Sequence, residues 1–168
     1  MRTSVDVHNY LTEHEAQHEV FTAGGRFRSP ERIAAVLDLP PDLVGKVLLY
    51  ESPDAVVAAV VPIGFVADIQ VLREASGVRS LEPVANGRAS ELSGFLPEAI
   101  PPAGMPAEIA VVVDRTLDRD EVLYFPAGEV HAVLKIRGTE LVRATRALVA
   151  PIAALARPVG RRRGRKKQ

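Results

Sequence analysis

The chain has 168 residues, of which 47% are apolar and 25% charged, and it contains neither cysteine nor tryptophan. This length predicts one globular domain with a substantial core, built here from Val, Leu, Ile and Ala. The absence of cysteine excludes disulfides, thiolate metal sites and cysteine nucleophiles. No uncharged apolar run approaches the length of a transmembrane helix, and the charged N-terminus lacks a signal-peptide core, so we expect a cytoplasmic protein.

The zero net charge hides a strong asymmetry along the chain. Seven of the 21 basic residues, and none of the 21 acidic ones, lie in residues 157–168, so residues 1–156 carry 14 basic and 21 acidic side chains. A basic tail with Gly and Pro is typical of a disordered segment that contacts a polyanion, although it can also serve only solubility. We therefore predict a domain over residues 1–155 and a disordered tail over 156–168.

The first half of the chain predicts two helices and three strands. Ser29 and Pro30 have the residue types of an N-cap and a first helical position, and Pro40-Pro41 stops the helix that they begin. The turn "SPD" separates two apolar runs at the spacing of a hairpin. In chain order, the predicted elements are a helix over 4–15, a strand over 18–23, a helix over 29–39, and strands over 45–51 and 55–64.

The second half predicts further helices and strands without strict βαβ alternation. Asp68 is placed to cap a helix that ends at Gly77. The remaining elements are a short strand and a helix within 80–94, a Pro-rich loop over 95–106, a strand over 108–117, a hairpin formed by 121–128 and 130–136, and a last helix over 138–156. This order predicts an α+β domain around one mixed sheet.

Lys46 stands at the start of the apolar strand "GKVLLYE". Burying an ammonium group costs free energy unless the group has a partner or a function. The alternative is that the stem packs against apolar neighbours while the ammonium reaches water. Composition alone leaves both interpretations open.

The loop "SGFLPEAIPPAG" brackets three prolines between Gly94 and Gly104. A stiff backbone with free N–H groups can hold a carbonyl oxygen or an oxyanion. The alternative is a stiff surface connection with no chemical role.

Other chemical motifs are weak. There is no glycine-rich phosphate loop and no G-x-S-x-G motif. The segment from His14 to His18 matches H-E-x-x-H, which suggests a metal hydrolase, but its flanks are polar and no third ligand stands at a useful spacing. An exposed helix end is the favoured interpretation, and we predict no metal and no cofactor.

Four segments in order resemble the YbaK family of bacterial aminoacyl-tRNA deacylases, which is related to the editing domain of prolyl-tRNA synthetase. They are "YLTEHEAQHEVF", "SPERIAAVLDLPPDLVGKVLLY", "PEAIPPAG" and "VVVDRTLDRDEVLYFPAGEVHAVLKI", and the resemblance runs from about residue 7 to about 152. It implies a mixed, mostly antiparallel sheet or partly closed barrel surrounded by helices. It also implies hydrolysis of a mischarged tRNA with a small amino acid, tRNA(Pro) being one candidate.

The resemblance assigns roles to individual residues. Lys46 would be the catalytic residue, and the tail would hold tRNA phosphates without reading sequence. An aminoacyl-tRNA synthetase is a second candidate partner. The implied substrate-binding residues are Gly94, Ala99, Ile100, Pro101, Pro102, Gly104, Ala127, Gly128 and His131, and the implied tRNA-binding residues are Arg161, Arg162, Arg163, Arg165, Lys166 and Lys167.

Two departures from the family pattern bear on activity. Glu98 stands where the loop usually has its first glycine, and Ala103 where a Phe or Leu is usual. His131 comes one residue later than the histidine of many relatives, and a shift of one residue on a strand reverses the face. These departures support an alternative, a module with this fold that binds tRNA or a protein without hydrolysis.

Overall fold

The computed structural model describes residues 1–156, and the tail beyond them lies outside the described residues. Within that range the chain forms five α-helices and ten β-strands. In chain order they are α1 (Ser4–Glu13), β1 (His18–Thr22), α2 (Glu31–Leu37), β2 (Gly45–Glu51), β3 (Val56–Pro62), β4 (Phe65–Ala67), α3 (Ile69–Ser76), β5 (Glu82–Pro83), α4 (Asn86–Ser93), β6 (Ala110–Asp114), β7 (Val122–Pro126), β8 (Ala132–Arg137), α5 (Gly138–Thr145), β9 (Leu148–Ala150) and β10 (Ala153–Leu155).

The strands form a mixed but mostly antiparallel architecture. The largest sheet has the order β5-β2-β3-β6-β9, in which β3-β6 and β6-β9 are parallel pairs. The sheet β1-β8-β7 and the pair β10-β4 are antiparallel. The predicted α+β domain is confirmed, and its strands belong to three separately hydrogen-bonded sheets rather than to a closed barrel.

Strand β2 separates two parts of the hydrophobic core. It pairs antiparallel with β3 in the predicted hairpin, and Lys46 lies opposite Val61. Because side chains alternate along a strand, Val47 and Leu49 pack into one buried cluster while Leu48 and Tyr50 pack into another. The two faces of β2 are therefore both covered, and Lys46 lies on the face of Leu48 and Tyr50.

The helix ends follow the capping signals in the sequence. The side chain of Asp68 accepts hydrogen bonds from the N–H groups of Gln70 and Val71, and Gly77 ends α3 with a φ of 76°. Helix α2 begins at Glu31, after Pro30, so its start lies slightly later than predicted. These ends need only local interactions, which explains why the sequence pattern locates them.

The prediction of one helix over 138–156 is wrong beyond residue 145. Helix α5 ends at Thr145, its C-cap residue Arg146 has a φ of 55°, and the chain then forms β9 and β10. Strand β9 pairs in parallel with β6, which supplies hydrogen-bonding partners that the sequence pattern does not reveal. Pro151 also lacks the N–H that a continuing helix needs, and Ile152 is fully buried beside the new strands.

The Pro-rich segment is a connection between α4 and β6, as predicted. It contains one short 3₁₀ turn over Pro97–Ala99. Among residues 1–156, no helix is long and apolar enough to cross a lipid bilayer.

Gly138 permits a close backbone contact at the start of α5. A Cβ at this position would overlap the carbonyl oxygen of Leu117 and lie 2.7 Å from that of Arg119. Gly138→Ala should lower the free energy of unfolding by about 2 kcal/mol, because backbone atoms have to move to admit the methyl group. Urea denaturation followed by circular dichroism measures this loss.

Gly87→Ala is the matched control, since a Cβ there meets nothing within 4 Å in helix α4. Its free energy of unfolding should equal that of the wild type or exceed it by up to about 1 kcal/mol. Equal stability of the two variants would show that the Gly138 contact is easily relieved.

Candidate active site

The Lys46 ammonium is paired rather than free in solvent. Its side chain is 15% exposed, and Nζ lies 3.2 Å from a carboxylate oxygen of Glu31. Within residues 1–156, the ammonium forms its one hydrogen bond with Glu31. The aliphatic part of the Lys46 side chain is packed, and its ammonium has a charged partner. Together these offset the cost of removing the lysine from water.

Glu31 was missed by sequence reasoning. It is the first residue of α2, where an acidic residue is common because it interacts favourably with the helix N-terminus, so its presence carried no distinctive signal. Burial would raise the pKa of Glu31, but its own backbone N–H, the Lys46 ammonium and the Ser29 side chain outweigh burial and hold the pKa below its ordinary value. Glu31 therefore stays charged opposite the lysine at neutral pH.

The start of β2 and the Ala127-Gly128 turn lie at the same end of the molecule. Val44, which lies just before β2, forms a parallel β-bridge with Tyr124 in β7. Two segments paired in parallel run in the same direction. Lys46 follows Val44 closely in one segment, and the Ala127-Gly128 turn follows Tyr124 closely in the other, so both lie on the same side of this bridge. This places the predicted catalytic lysine near one predicted wall of the aminoacyl pocket.

The Pro-rich loop is attached to that turn by a backbone hydrogen bond. The Gly128 N–H donates to the Ala99 carbonyl oxygen over 2.8 Å. Gly128 has a φ of 92°, and a Cβ there would lie 2.9 Å from the ring of Phe95. The positive φ and this close approach both require glycine, so the structure brings Ala99 and Gly128 together as the resemblance implies.

The central part of the loop is buried and retains unused donors. Residues 99–105 are all buried. The N–H groups of Ile100, Ala103, Gly104 and Met105 have no hydrogen-bond acceptor in residues 1–156, and Pro101 and Pro102 have no N–H. Backbone donors in buried segments are rarely left unpaired, so these four groups are candidates to bind a ligand oxygen.

The loop and the lysine side chain are associated with different faces of β2. Ile100 and Ala103 pack in the cluster that contains Val47 and Leu49, whereas Lys46 lies on the opposite face of β2. No hydrogen bond within residues 1–156 joins the ammonium to residues 94–104. A single closed pocket formed by both is therefore not observed.

Gly94 and Gly104 are linked through Arg2, which sequence reasoning also missed. The Arg2 N–H donates to the Gly94 carbonyl over 2.8 Å, and its guanidinium Nη1 donates to the Gly104 carbonyl over 3.1 Å. The two bracketing glycines have φ values of 83° and 90°. One residue near the N-terminus thus fixes both ends of the loop.

His131 lies in the turn between β7 and β8 rather than on a strand. The expectation that a one-residue shift reverses its strand face therefore does not apply. Its side chain is 47% exposed, and Nε2 lies 3.7 Å from the carboxylate of Glu129. The hydroxyl and backbone N–H of Ser4 hold the pKa of Glu129 below its ordinary value, so Glu129 offers His131 a charged neighbour.

Glu98, the main departure from the family loop, lies in the short 3₁₀ turn that precedes Ala99. It is half-buried and forms no ion pair with residues 1–156. Its charge therefore stands next to the loop that carries the unused N–H groups. An anionic group approaching the loop is disfavoured there by like-charge repulsion.

The H-E-x-x-H segment does not form one helical face. Helix α1 ends at Glu13, and Glu15 has a φ of 55°, so His14 and His18 lie on different elements. The ring of His14 stacks on Tyr10, whereas His18 contacts His8 over 3.0 Å. Residues 1–156 contain no group of three or more His, Asp or Glu side chains placed to hold a metal.

The predicted tRNA-binding side chains of the tail lie outside the described residues. These are Arg161, Arg162, Arg163, Arg165, Lys166 and Lys167.

Comparison with known proteins identifies the family and supports the fold. The family model for the aminoacyl-tRNA editing domain matches residues 26–144, a range that includes Lys46, the Pro-rich loop and the Ala127-Gly128 turn. The chain belongs to this aminoacyl-tRNA editing domain family, which is the YbaK-like family that its motifs resemble. No curated protein matches it.

Solved structures share the fold at low sequence identity. The crystal structure of hypothetical protein APE2540 has 26% identity and a TM-score of 0.82, covering 89% of this chain and 99% of that one. A candidate trans-editing enzyme for prolyl tRNA synthetase has 18% identity and a TM-score of 0.79, covering 92% and 98%. A protein described as acting in signal transduction, from Marinobacter aquaeolei VT8, has 17% identity and a TM-score of 0.63, and the match covers 89% of this chain and 30% of that one.

The Glu31–Lys46 pair should contribute modestly to stability. A double-mutant cycle with Glu31→Gln and Lys46→Met should give a coupling energy of about 0.5 kcal/mol at pH 7, because Glu31 is 46% exposed and solvent weakens the attraction. Since the pKa of Glu31 is lowered by folding, the coupling is present above the unfolded-state pKa and is lost as pH falls through the folded-state pKa. Urea denaturation of the four proteins at several pH values measures it, and a coupling that survives full protonation of carboxylates would contradict the ion pair.

Proposed function

We propose that the protein hydrolyses the ester bond between a small amino acid and the terminal ribose of a mischarged tRNA. The observation that carries this proposal is the buried loop in which four backbone N–H groups, between Ile100 and Met105, have no acceptor within residues 1–156. Because the chain belongs to the editing domain family, we expect these N–H groups to bind the carbonyl oxygen of an aminoacyl ester.

The chemistry needs few protein groups. An aminoacyl ester is already activated, so hydrolysis requires a positioned water and stabilisation of the oxyanion that forms on the carbonyl oxygen. Backbone donors in the loop supply that stabilisation without titrating. This account uses no cysteine and no serine nucleophile, and it requires neither a metal nor a cofactor.

Lys46 supplies the positive charge in this proposal. Its ammonium either stabilises charge on the carbonyl or anchors the terminal phosphate or ribose of the tRNA, which suits a compact cation with three donors. Glu31 holds the ammonium in place until the substrate arrives, and the substrate then competes with this carboxylate. Because the lysine and the loop lie on different faces of β2, anchoring of the tRNA end is the role that we favour.

The pocket selects small amino acids by exclusion. Ala99, Ile100 and Ala127 are buried at the junction of the loop and the turn, so apolar side chains of small or medium size border the proposed amino acid site. Exclusion of larger, correctly charged amino acids is the logic of double-sieve editing. The structural relative described as a trans-editing enzyme for prolyl tRNA synthetase makes tRNA(Pro) the first tRNA to test.

The basic tail supports tRNA binding. Seven Lys and Arg residues between 157 and 168 can neutralise phosphates without reading sequence. An aminoacyl-tRNA synthetase is a further candidate partner, since trans-editing acts on the products of such an enzyme.

A binding module without hydrolytic activity is the second candidate function. It is favoured by Glu98, whose charge stands beside the loop donors, and by the pairing of Lys46 with Glu31. In that case the protein binds tRNA but leaves the ester intact.

Deacylation assays on Ala-, Cys-, Ser- and Thr-charged tRNAs, including tRNA(Pro), test the proposal directly. We expect hydrolysis of at least one substrate, and a kcat/KM at least about 100-fold lower for Lys46→Ala, because this variant removes the cation that is proposed to anchor the tRNA end. Lys135→Ala is the matched control, since this lysine is exposed and lies on β8.

Equal rates for Lys46→Ala and the wild type would remove Lys46 from the mechanism. Absence of hydrolysis on every substrate, with tRNA binding retained, would replace the enzyme with the binding module.

Deletion of residues 157–168 should weaken tRNA binding mainly at low salt. The slope of log affinity against log salt should become shallower, by about 0.7–0.9 for each phosphate that the tail no longer neutralises. A full-length variant with the tail Lys and Arg residues changed to Gln separates the effect of charge from that of length. Affinity that is unchanged across the salt titration would exclude the tail from tRNA binding.

A further inference from the structure

Arg2 contacts the Pro-rich loop at a peptide unit that also carries one of the unused donors. Its guanidinium Nη1 donates to the Gly104 carbonyl oxygen over 3.1 Å. The same peptide unit contains the N–H of Met105, which has no hydrogen-bond acceptor in residues 1–156. One side of this peptide is therefore held by a cation, while its other side presents an unused donor.

The direction of the Met105 N–H follows from the geometry of this peptide unit. The peptide between Gly104 and Met105 is trans. In a planar trans peptide the C=O and the N–H point in opposite directions, so the Met105 N–H is directed away from the Arg2 guanidinium. Arg2 therefore orients this donor without occupying the space in front of it.

A cation on the carbonyl also strengthens the N–H of the same peptide as a donor. A hydrogen bond with a charged partner is stronger than a neutral one, and hydrogen bonds in a chain polarise one another. The guanidinium draws electron density toward the Gly104 oxygen, which leaves the Met105 amide proton more positive. Met105 is buried, and the low dielectric of such surroundings increases the effect.

A second peptide of the loop has the same arrangement with a neutral donor on its carbonyl. The Ala99 carbonyl accepts a hydrogen bond from the Gly128 N–H, and the N–H of that same peptide belongs to Ile100 and has no acceptor in residues 1–156. Both peptides thus combine a bound carbonyl with an unused N–H. Because only the Met105 peptide has a cation on its carbonyl, its N–H is the more strongly polarised of the two.

The Arg2 side chain is held against the loop, and no carboxylate within residues 1–156 forms an ion pair with it. Its stem packs over Gly94, where a Cβ would lie 2.9 Å from the Arg2 Cδ. Its backbone N–H donates to the Gly94 carbonyl over 2.8 Å. The charge that acts on the Gly104 carbonyl is therefore fixed in position and is not neutralised by an acidic partner.

Arg2 also lies outside residues 26–144, the part of the chain that the family model matches. We propose that Arg2 is a positioning residue, which orients and polarises the Gly104–Met105 peptide so that the Met105 N–H binds the oxyanion formed during ester hydrolysis. This role rests on the proposed function, whereas the effect of Arg2 on the peptide is measurable without a substrate.

Two-dimensional NMR of the isotope-labelled full chain tests the effect on the peptide. In Arg2→Met the amide proton of Met105 should move upfield, because the charged donor on the preceding carbonyl is lost while the stem is kept. The amide proton of Ile100 is the internal control and should move less, since its peptide is bound by Gly128. An unchanged Met105 proton, or equal movement of the two protons, would overturn the proposal.

Kinetics on a tRNA substrate that the wild type hydrolyses test the positioning role. Stabilisation of an oxyanion acts only in the transition state, so Arg2→Met should lower kcat at least about tenfold and change KM less than about twofold. Arg2→Lys keeps a cation and should restore kcat to within about threefold of the wild type. Arg79→Met is the matched control, since this exposed arginine forms no hydrogen bond or ion pair within residues 1–156, and it should leave both constants unchanged.

The two measurements separate failure of this inference from failure of the proposed function. A loss that lies in KM alone, or an Arg2→Lys variant as slow as Arg2→Met, would reduce Arg2 to a structural role and overturn the proposal. If the wild type hydrolyses no substrate, the proposed function and the positioning role both fail, and the NMR result still decides whether Arg2 polarises the peptide. If Arg2→Met does not fold, Arg2→Gln replaces it in both measurements, with the same direction of change expected.

Discussion

The hydrogen bond from the Gly128 N–H to the Ala99 carbonyl is the contact on which the candidate active site depends. It joins a loop with three prolines, at the end of its short 3₁₀ turn, to a tight turn between two strands. Arg2 fixes the same loop at Gly94 and Gly104. With its ends and its middle attached, the loop can keep backbone donors unpaired without collapsing onto them.

The basic side chains of residues 1–156, 14 against 21 acidic ones, differ in whether a carboxylate pairs with them. Lys46 is neutralised by Glu31 in the absence of substrate, whereas Arg2 has no carboxylate partner in residues 1–156 and binds the Gly104 carbonyl. These arrangements suit different roles. A paired lysine binds an anion only by exchanging partners, which selects for ligands that also make other contacts, whereas an arginine bound to a carbonyl keeps its charge beside the loop.

Local signals in the sequence located most helices and strands. The Asp68 cap, Gly77 and the strand Gly45–Glu51 were predicted because residues adjacent in the sequence carry the signal for each. The C-terminal helix was wrongly extended because β9 exists only through its parallel pairing with β6, a contact between distant segments.

The same distinction applies to the candidate site. The lysine, the loop and the turn could be selected from the sequence by resemblance to a family. Their partners could not, because Glu31, Arg2 and Phe95 have ordinary residue types for their positions and gain significance only from long-range packing. The face on which Lys46 lies was likewise fixed by strand register and by the two core clusters rather than by the strand's composition.

The contacts of the first residues also determine when the site can form during folding. Arg2 reaches a carbonyl 102 positions away, and Ser4 reaches a carboxylate 125 positions away. Contacts between residues so far apart in sequence close long loops and are slow to form during folding. A chain emerging from the ribosome therefore cannot complete the loop geometry until at least Glu129 has been synthesised, because the partners of Arg2, Ala99 and Ser4 extend that far along the chain.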